Sequence, residues 1–195
     1  MSPTAGLLQA TNGTLYGTTS QGGVDRDGTL FSLSTGLGTF VRTQPTSAKQ
    51  GATIGIFGQD FSPSSVVKFG GVQSTNIQLS GTTLILSKVP TGALTGLVTV
   101  TNDGTTLTSN QLFRVKPQVL SFDPTSGSVG TQVTITGSGF TQTSGVGFGD
   151  NVPGQFTVNS DTQVTATVPA GAKTGPVGVV TKGGTAISTA MFTVN

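Results

Sequence analysis

All seven acidic residues of this 195-residue chain are aspartates, and it contains no His, no Cys and no Glu. They are Asp25, Asp27, Asp60, Asp103, Asp123, Asp150 and Asp161. Without imidazole or thiol, Ser-His-Asp and Cys-His nucleophile arrangements are excluded, and so are disulfides and thiolate zinc sites. No nucleophile-elbow or Walker-type motif is present. The expectation is therefore no catalytic residue and no cofactor.

Two short stretches and two single residues remain as chemical candidates. "DRDG" (Asp25–Gly28) places two carboxylates where a calcium loop begins, since hard cations take clustered oxygens. The later ligands and the bidentate Glu of such a loop do not follow, so Asp25 and Asp27 are candidate metal ligands on a hairpin loop that otherwise reads as solvated. "GSGF" (Gly137–Phe140) has part of a phosphate-loop spacing and follows a strand. It opens no helix, which makes it a structural turn. Tyr16 is the one Tyr in a chain without Trp. It is the candidate stacking platform for a glycan, or else a packed residue. Asp123 before Pro124 reads as a turn initiator, as Asp commonly does by bonding to its own backbone.

The elements that must position these groups are strands. Gly, Thr and Ser dominate, charged residues make up 8% and apolar residues 33%. This composition suits many short strands and turns rather than helices. The net charge is +2, from nine Lys and Arg spread singly along the sequence. Lys49 stands alone, and Lys173 and Lys182 fall on separate loops. Nothing here reads as the basic patch that nucleic acid or an anionic membrane requires. No apolar run approaches bilayer-spanning length. Met1 leads into "SPTAGLLQA", which lacks the charged and apolar regions of a signal peptide. The chain reads as a fragment cut from a longer protein.

The sequence also repeats itself at a constant offset of 79, with about 25 of 79 aligned pairs identical and no gap. Pro45 falls on Pro124, Gly58 on Gly137, Phe61 on Phe140, Phe69 on Phe148 and Phe113 on Phe192. Within each copy the period is two: "TQVTITG" sets Val133 and Ile135 inward, with Thr134 and Thr136 outward. The fold class expected is all-β: two tandem immunoglobulin-like sandwiches over residues 38–116 and 117–195. A short hairpin segment, residues 1–37, precedes them. Pro117 stiffens a short linker, so the sandwiches should sit end to end.

The order Pro-x-x-Gly, "VTITGSGF", "VGFG", "VTATVPAG", "GPVGVVT" and "FTV" resembles the IPT/TIG family of immunoglobulin-like domains. Both copies match over their full length. On this reading Gly137 and Gly139 turn the chain sharply, Phe140 plugs the core, and Phe148 with Gly149 ends a strand in a tight turn. Asp60 occupies the place of Gly139 in the first copy and leaves that turn's geometry open. Some members of the family belong to transcription factors, but the scattered cations here argue against DNA. Residues 1–37 have hairpin signals at Asn12-Gly13 and Gly22–Gly28, with strands near Leu7–Ala10, Thr14–Thr18 and Thr29–Leu33. They resemble one unit of the GloVer-type tandem repeat of large bacterial extracellular proteins.

The resemblance implies a non-enzymatic spacer and protein-contact module of a larger secreted or cell-surface bacterial protein. The alternative is an accessory, polysaccharide-associated module of an extracellular carbohydrate-active enzyme. Expected partners are another protein or neighbouring domains of the same polypeptide, with a glycan second and neither nucleic acid nor membrane insertion. Leu7, Leu15, Tyr16, Leu30, Phe31 and Leu33 form an apolar set that one small unit cannot bury by itself. That predicts a homodimer through residues 3–37, with fold-back on the first sandwich as the other outcome.

Overall fold

The computed structural model describes residues 6–195, and every regular element among them is a strand. The N-terminal segment is a three-stranded antiparallel sheet: β1 (Leu8–Gln9), β2 (Leu15–Thr19) and β3 (Thr29–Leu33). The first strand is shorter than the sequence suggests, and the third falls where predicted. The turn at Asn12-Gly13 forms as the dipeptide dictates. Gly13 takes φ +85°, and the Asn12 side chain accepts the Thr14 amide at 3.0 Å.

The first sandwich comprises β4 (Arg42–Gln44), β5 (Ser47–Lys49), β6 (Thr53–Phe57), β7 (Val66–Phe69), β8 (Val72–Gln73), β9 (Ile77–Ser80), β10 (Leu84–Lys88), β11 (Val98–Asn102), β12 (Thr105–Thr108) and β13 (Arg114–Lys116). One sheet runs β4-β6-β10-β9 and the facing sheet β12-β11-β7-β8, while β5 and β13 form a parallel pair. The second sandwich comprises β14 (Gln118–Asp123), β15 (Ser126–Gly127), β16 (Gln132–Ser138), β17 (Thr143–Phe148), β18 (Val152–Gly154), β19 (Phe156–Ser160), β20 (Gln163–Thr167), β21 (Gly175–Thr181) and β22 (Gly184–Val194). Its sheets run β14-β16-β20-β19 and β15-β22-β21-β17-β18.

Period-two patterning builds a separate core in each. Ile54, Ile56 and Ile85 face Val98 and Val100 in the first; Val133, Ile135 and Val164 face Val177 and Val179 in the second. The aromatic residues repeat with their geometry. Phe69 meets Phe113 edge to face at 5.2 Å and 71°, and Phe148 meets Phe192 at 5.5 Å and 72°. Phe61 and Phe140 are both buried.

Two polar devices also recur at the 79-residue offset. Ser109 and Ser188, both buried, accept the amides of Val98 and Val177 at 3.0 and 2.9 Å. Their hydroxyls donate to the Gln111 and Ala190 carbonyls at 2.7 Å. Thr95 and Thr174 accept the Val115 and Val194 amides at 2.9 and 3.0 Å. Each hydroxyl satisfies a main-chain group that the ladder leaves unpaired.

The turn after the second core strand corrects part of the glycine reading. Gly139 adopts φ +76°, and Asp60 at the equivalent place adopts φ +57°, so the two turns share one geometry. Asp tolerates that left-handed conformation better than most residues. The Asn102 side-chain amide donates to the Asp60 carbonyl there. Gly137 is not a turn residue at all: it lies inside β16. It is glycine because a Cβ there would sit 1.9 Å from the Gln118 carbonyl oxygen and 2.4 Å from the Phe140 ring.

The N-terminal sheet touches the first sandwich through Thr11. The Phe40 amide donates to the Thr11 carbonyl at 3.0 Å, and the Gln59 side chain to the Thr11 hydroxyl at 2.8 Å. That hydroxyl in turn faces the Gly58 carbonyl at 3.4 Å. The seat is polar and small. The apolar set is only partly covered: Leu7, Leu30 and Leu33 remain 49%, 72% and 48% exposed, as does neighbouring Leu8, while Leu15, Tyr16 and Phe31 are half-buried.

Candidate functional site

The two sandwiches meet around Pro117, where β13 ends and β14 begins. The parallel pairing of β13 with β5 sets Arg114 opposite Ser47, Val115 opposite Ala48 and Lys116 opposite Lys49. This places the Lys49–Gln50 loop, the Thr95 loop and the last strand of the first sandwich against three turns of the second.

Four hydrogen bonds and one close main-chain contact span the junction. The Thr95 amide donates to Gln142 Oε1 at 2.8 Å, and Gln142 Nε2 donates to the Thr95 carbonyl at 3.3 Å. One side-chain amide thus pairs with both main-chain groups of a single residue. Gln50 Nε2 donates to Asp161 Oδ2 at 2.8 Å. Arg114 Nη1 donates to the Lys182 carbonyl at 3.3 Å. Gly183 packs so closely under the Val115 carbonyl that a Cβ would lie 1.6 Å from its oxygen.

Asp161 organises the second sandwich's side of this contact. Its carboxylate also accepts the Thr141 hydroxyl at 2.7 Å, the Gly139 amide at 3.3 Å and the Thr141 amide at 3.4 Å. Partial burial pushes its pKa up. The hydrogen bonds from Gln50, Thr141 and Gly139 outweigh that, and the net effect is a carboxyl held below its usual value. One amide of "GSGF", that of Gly139, therefore does meet an anion, and it is the chain's own Asp161.

Beside these contacts lies a groove of about 560 Å³, within the span of small-molecule sites (roughly 300–1,000 Å³). Lys49 and Lys116 line it with Gln118, Val119, Ala186 and Ile187. Lys49 thus does not stand alone. Strand pairing sets it beside a lysine 67 positions away, a register that no local sequence signal announces.

The structure disperses the other candidates. Asp25 and Asp27 lie exposed on the Gly22–Gly28 loop, closed by the Gly28 amide on the Gly22 carbonyl at 2.9 Å. Among the described residues no three His, Cys, Asp or Glu side chains come together. Tyr16 is half-buried in β2, paired with Leu8 on one side and Ser32 on the other. Asp150 forms a 3.1 Å ion pair with Lys173, in which both side chains are largely exposed; such a pair adds little. Asp60 and Asp103 line a second cavity of about 220 Å³ with Gln59, Asn102 and Leu107. No helix among the described residues is long and apolar enough to cross a membrane.

The sequence profile of the IPT/TIG domain matches residues 39–115 and again 117–194. No curated protein matches the chain in sequence. Among solved structures, the surface glycan-binding protein PbSGBP-B from Prevotella bryantii is similar at 19% identity with a TM-score of 0.50. That match covers 82% of this chain and 40% of that one. SGBP-B from a complex xyloglucan utilization locus in Bacteroides uniformis is 20% identical, with a TM-score of 0.38, over 80% of this chain and 48% of that one. The plexin A4 extracellular region is 19% identical, with a TM-score of 0.39, over 79% of this chain and 18% of that one. The chain spans less than half the length of each of these structures.

Proposed function

The chain belongs to the IPT/TIG domain family, and from that premise we propose that it is a non-enzymatic spacer and contact module of a larger extracellular, surface-attached bacterial protein. The observation that carries the reading is the junction. Gln142 clasps Thr95, Gln50 reaches Asp161, and Gly183 abuts Val115, so the pose of one sandwich on the other is fixed by several independent contacts. A hinge would leave these surfaces apart. The N-terminal sheet, read as a unit of GloVer type, joins the first sandwich through Thr11 in the same serial manner.

The test is the pose itself. Residual dipolar couplings on the intact chain should fit one alignment tensor for both sandwiches. Two unrelated tensors would show a flexible tether and overturn the spacer reading.

Self-association through residues 3–37 belongs to the same proposal, with residues 3–5 outside the described structure. Its support is the uncovered Leu8 and Leu30 and the exposed strand edge that a three-stranded sheet leaves. A second reading is the accessory polysaccharide-associated module. It is supported only at the level of fold, by the likeness to a surface glycan-binding protein. A pull-down on insoluble polysaccharides separates the two: retention favours the accessory module, free passage the spacer.

A further inference from the structure

The groove at the junction has a charge that nothing in the same chain answers. Lys49 and Lys116 are register partners on adjacent strands, so their side chains leave one face about 4.8 Å apart. Like charges placed so are mutually unfavourable. The ion pair found among the described residues is Lys173–Asp150, so neither groove lysine has a carboxylate within 4.0 Å. The groove also runs beside a half-paired strand. β22 pairs with β21 along Gly184–Ile187 but meets β15 only at Thr193 and Val194. One edge of its N-terminal half is therefore without a ladder partner and faces residues 116–119 across the groove.

The complementary surface is on the N-terminal sheet. The Gly22–Gly28 loop is the one place where two acidic residues lie within three positions. Between its closing glycines it presents Val24, fully exposed, followed by exposed Asp25 and Asp27. The N-terminal segment holds two Asp against one Arg, whereas the two sandwiches hold eight Lys and Arg against five Asp. The loop is not seated on its own groove. Thr11 seats the N-terminal sheet at the Gly58–Gln59 end of β6, and Lys49 precedes the opposite end of that strand.

We infer that the Lys49–Lys116 groove receives the Gly22–Gly28 loop of a second copy, Asp25 and Asp27 meeting the two lysines and Val24 lying against Val119 and Ile187. The inference rests on the self-association reading and names its surfaces. Because the two surfaces differ, repetition of the contact builds open chains or rings, and reciprocal exchange of loops between two copies closes a dimer.

The test is light scattering on four samples of the full-length chain at low salt, each first checked for its β-sheet circular dichroism. The intact chain should gain mass with concentration, and the gain should fall as salt rises. Lys49→Glu with Lys116→Glu, and Asp25→Lys with Asp27→Lys, should each stay monomeric over the same range. An equimolar mixture of the two double variants should associate again, because each reversed surface then meets its complement. Association of both variants at the wild-type level would overturn the groove assignment and leave sheet-to-sheet pairing standing. A monomeric intact chain would overturn self-association altogether.

Discussion

Gln50 Nε2 lies 2.8 Å from Asp161 Oδ2, so one hydrogen bond links residues 111 positions apart in two separately folded sandwiches. The carboxylate does two jobs at once. It gathers the Gly139–Thr141 turn, and it offers that gathered turn to the first sandwich. Removal should therefore be felt both locally and at the junction. Asp161→Ala is expected to lower the second sandwich's stability by about 1.5 kcal/mol, the low end for a charge-assisted bond because the carboxylate is only half-buried. It should also raise the independence of the two sandwiches' tumbling. Chemical denaturation and NMR relaxation read the two effects separately.

The same residue sets a pH dependence. Its pKa is depressed in the folded protein, so the unfolded chain, near 3.9, takes up its proton first as pH falls. The stabilisation is complete above the unfolded value and is lost as pH drops through the folded one. Wild type and Asp161→Ala should thus differ in thermal midpoint at pH 7 and converge in acid below pH 4. A gap that persists unchanged at pH 2.5 would mean that the carboxylate's charge contributes nothing.

Gln142 should matter to pose more than to stability. It pairs with main-chain groups of Thr95 across the junction, while Thr95 Oγ1 holds Val115 within its own sandwich. Gln142→Ala should leave each sandwich's unfolding free energy within about 1 kcal/mol of wild type, the net worth of such bonds. The small-angle scattering profile should broaden toward a wider range of interdomain angles. An unchanged profile would assign the pose to Pro117 and packing alone.

The repeated cores predict repeated costs. Phe69→Ala and Phe148→Ala remove equivalent fully buried rings, each from an edge-to-face pair. Each should destabilise its own sandwich by about 3–5 kcal/mol. Differential scanning calorimetry should show one transition lowered and the other largely kept.

The cores were legible because burial alternates with residue number, and the 79-residue repeat pairs six of the eight buried Phe: Phe61 with Phe140, Phe69 with Phe148 and Phe113 with Phe192. The Gly139 turn was legible for the same local reason, and Asp60 could be placed only when its positive φ was seen. Gly137 was misread because a glycine forced by an approaching carbonyl looks, in sequence, like one forced by a turn. The junction was not legible. Gln50, Gln142 and Asp161 fall on loops, where no periodicity reports facing. Lys49 and Lys116 become neighbours only through a parallel register set by chain topology. Sequence patterning encodes which face of a strand is buried; it does not encode what two rigid bodies present to each other.

Gly183 and its repeat partner Gly104 separate local strain from junction contact. Gly104 has φ +83° with nothing within 4 Å of a Cβ placed on it. Gly104→Ala should therefore cost only the left-handed backbone penalty, about 1–2 kcal/mol, confined to the first sandwich. Gly183 has no positive φ, so alanine fits its backbone, but the methyl group would collide with the Val115 carbonyl across the junction. The obstacle is main chain and cannot rotate away. The sandwiches must separate there, and the separation should strain the Arg114–Lys182 and Gln142–Thr95 contacts beside it. Gly183→Ala should thus leave the second sandwich's own melting nearly unchanged while the two domains lose their common alignment tensor; Gly104→Ala should do the reverse. If Gly183→Ala keeps the wild-type tensor, the junction is softer than its close contact implies.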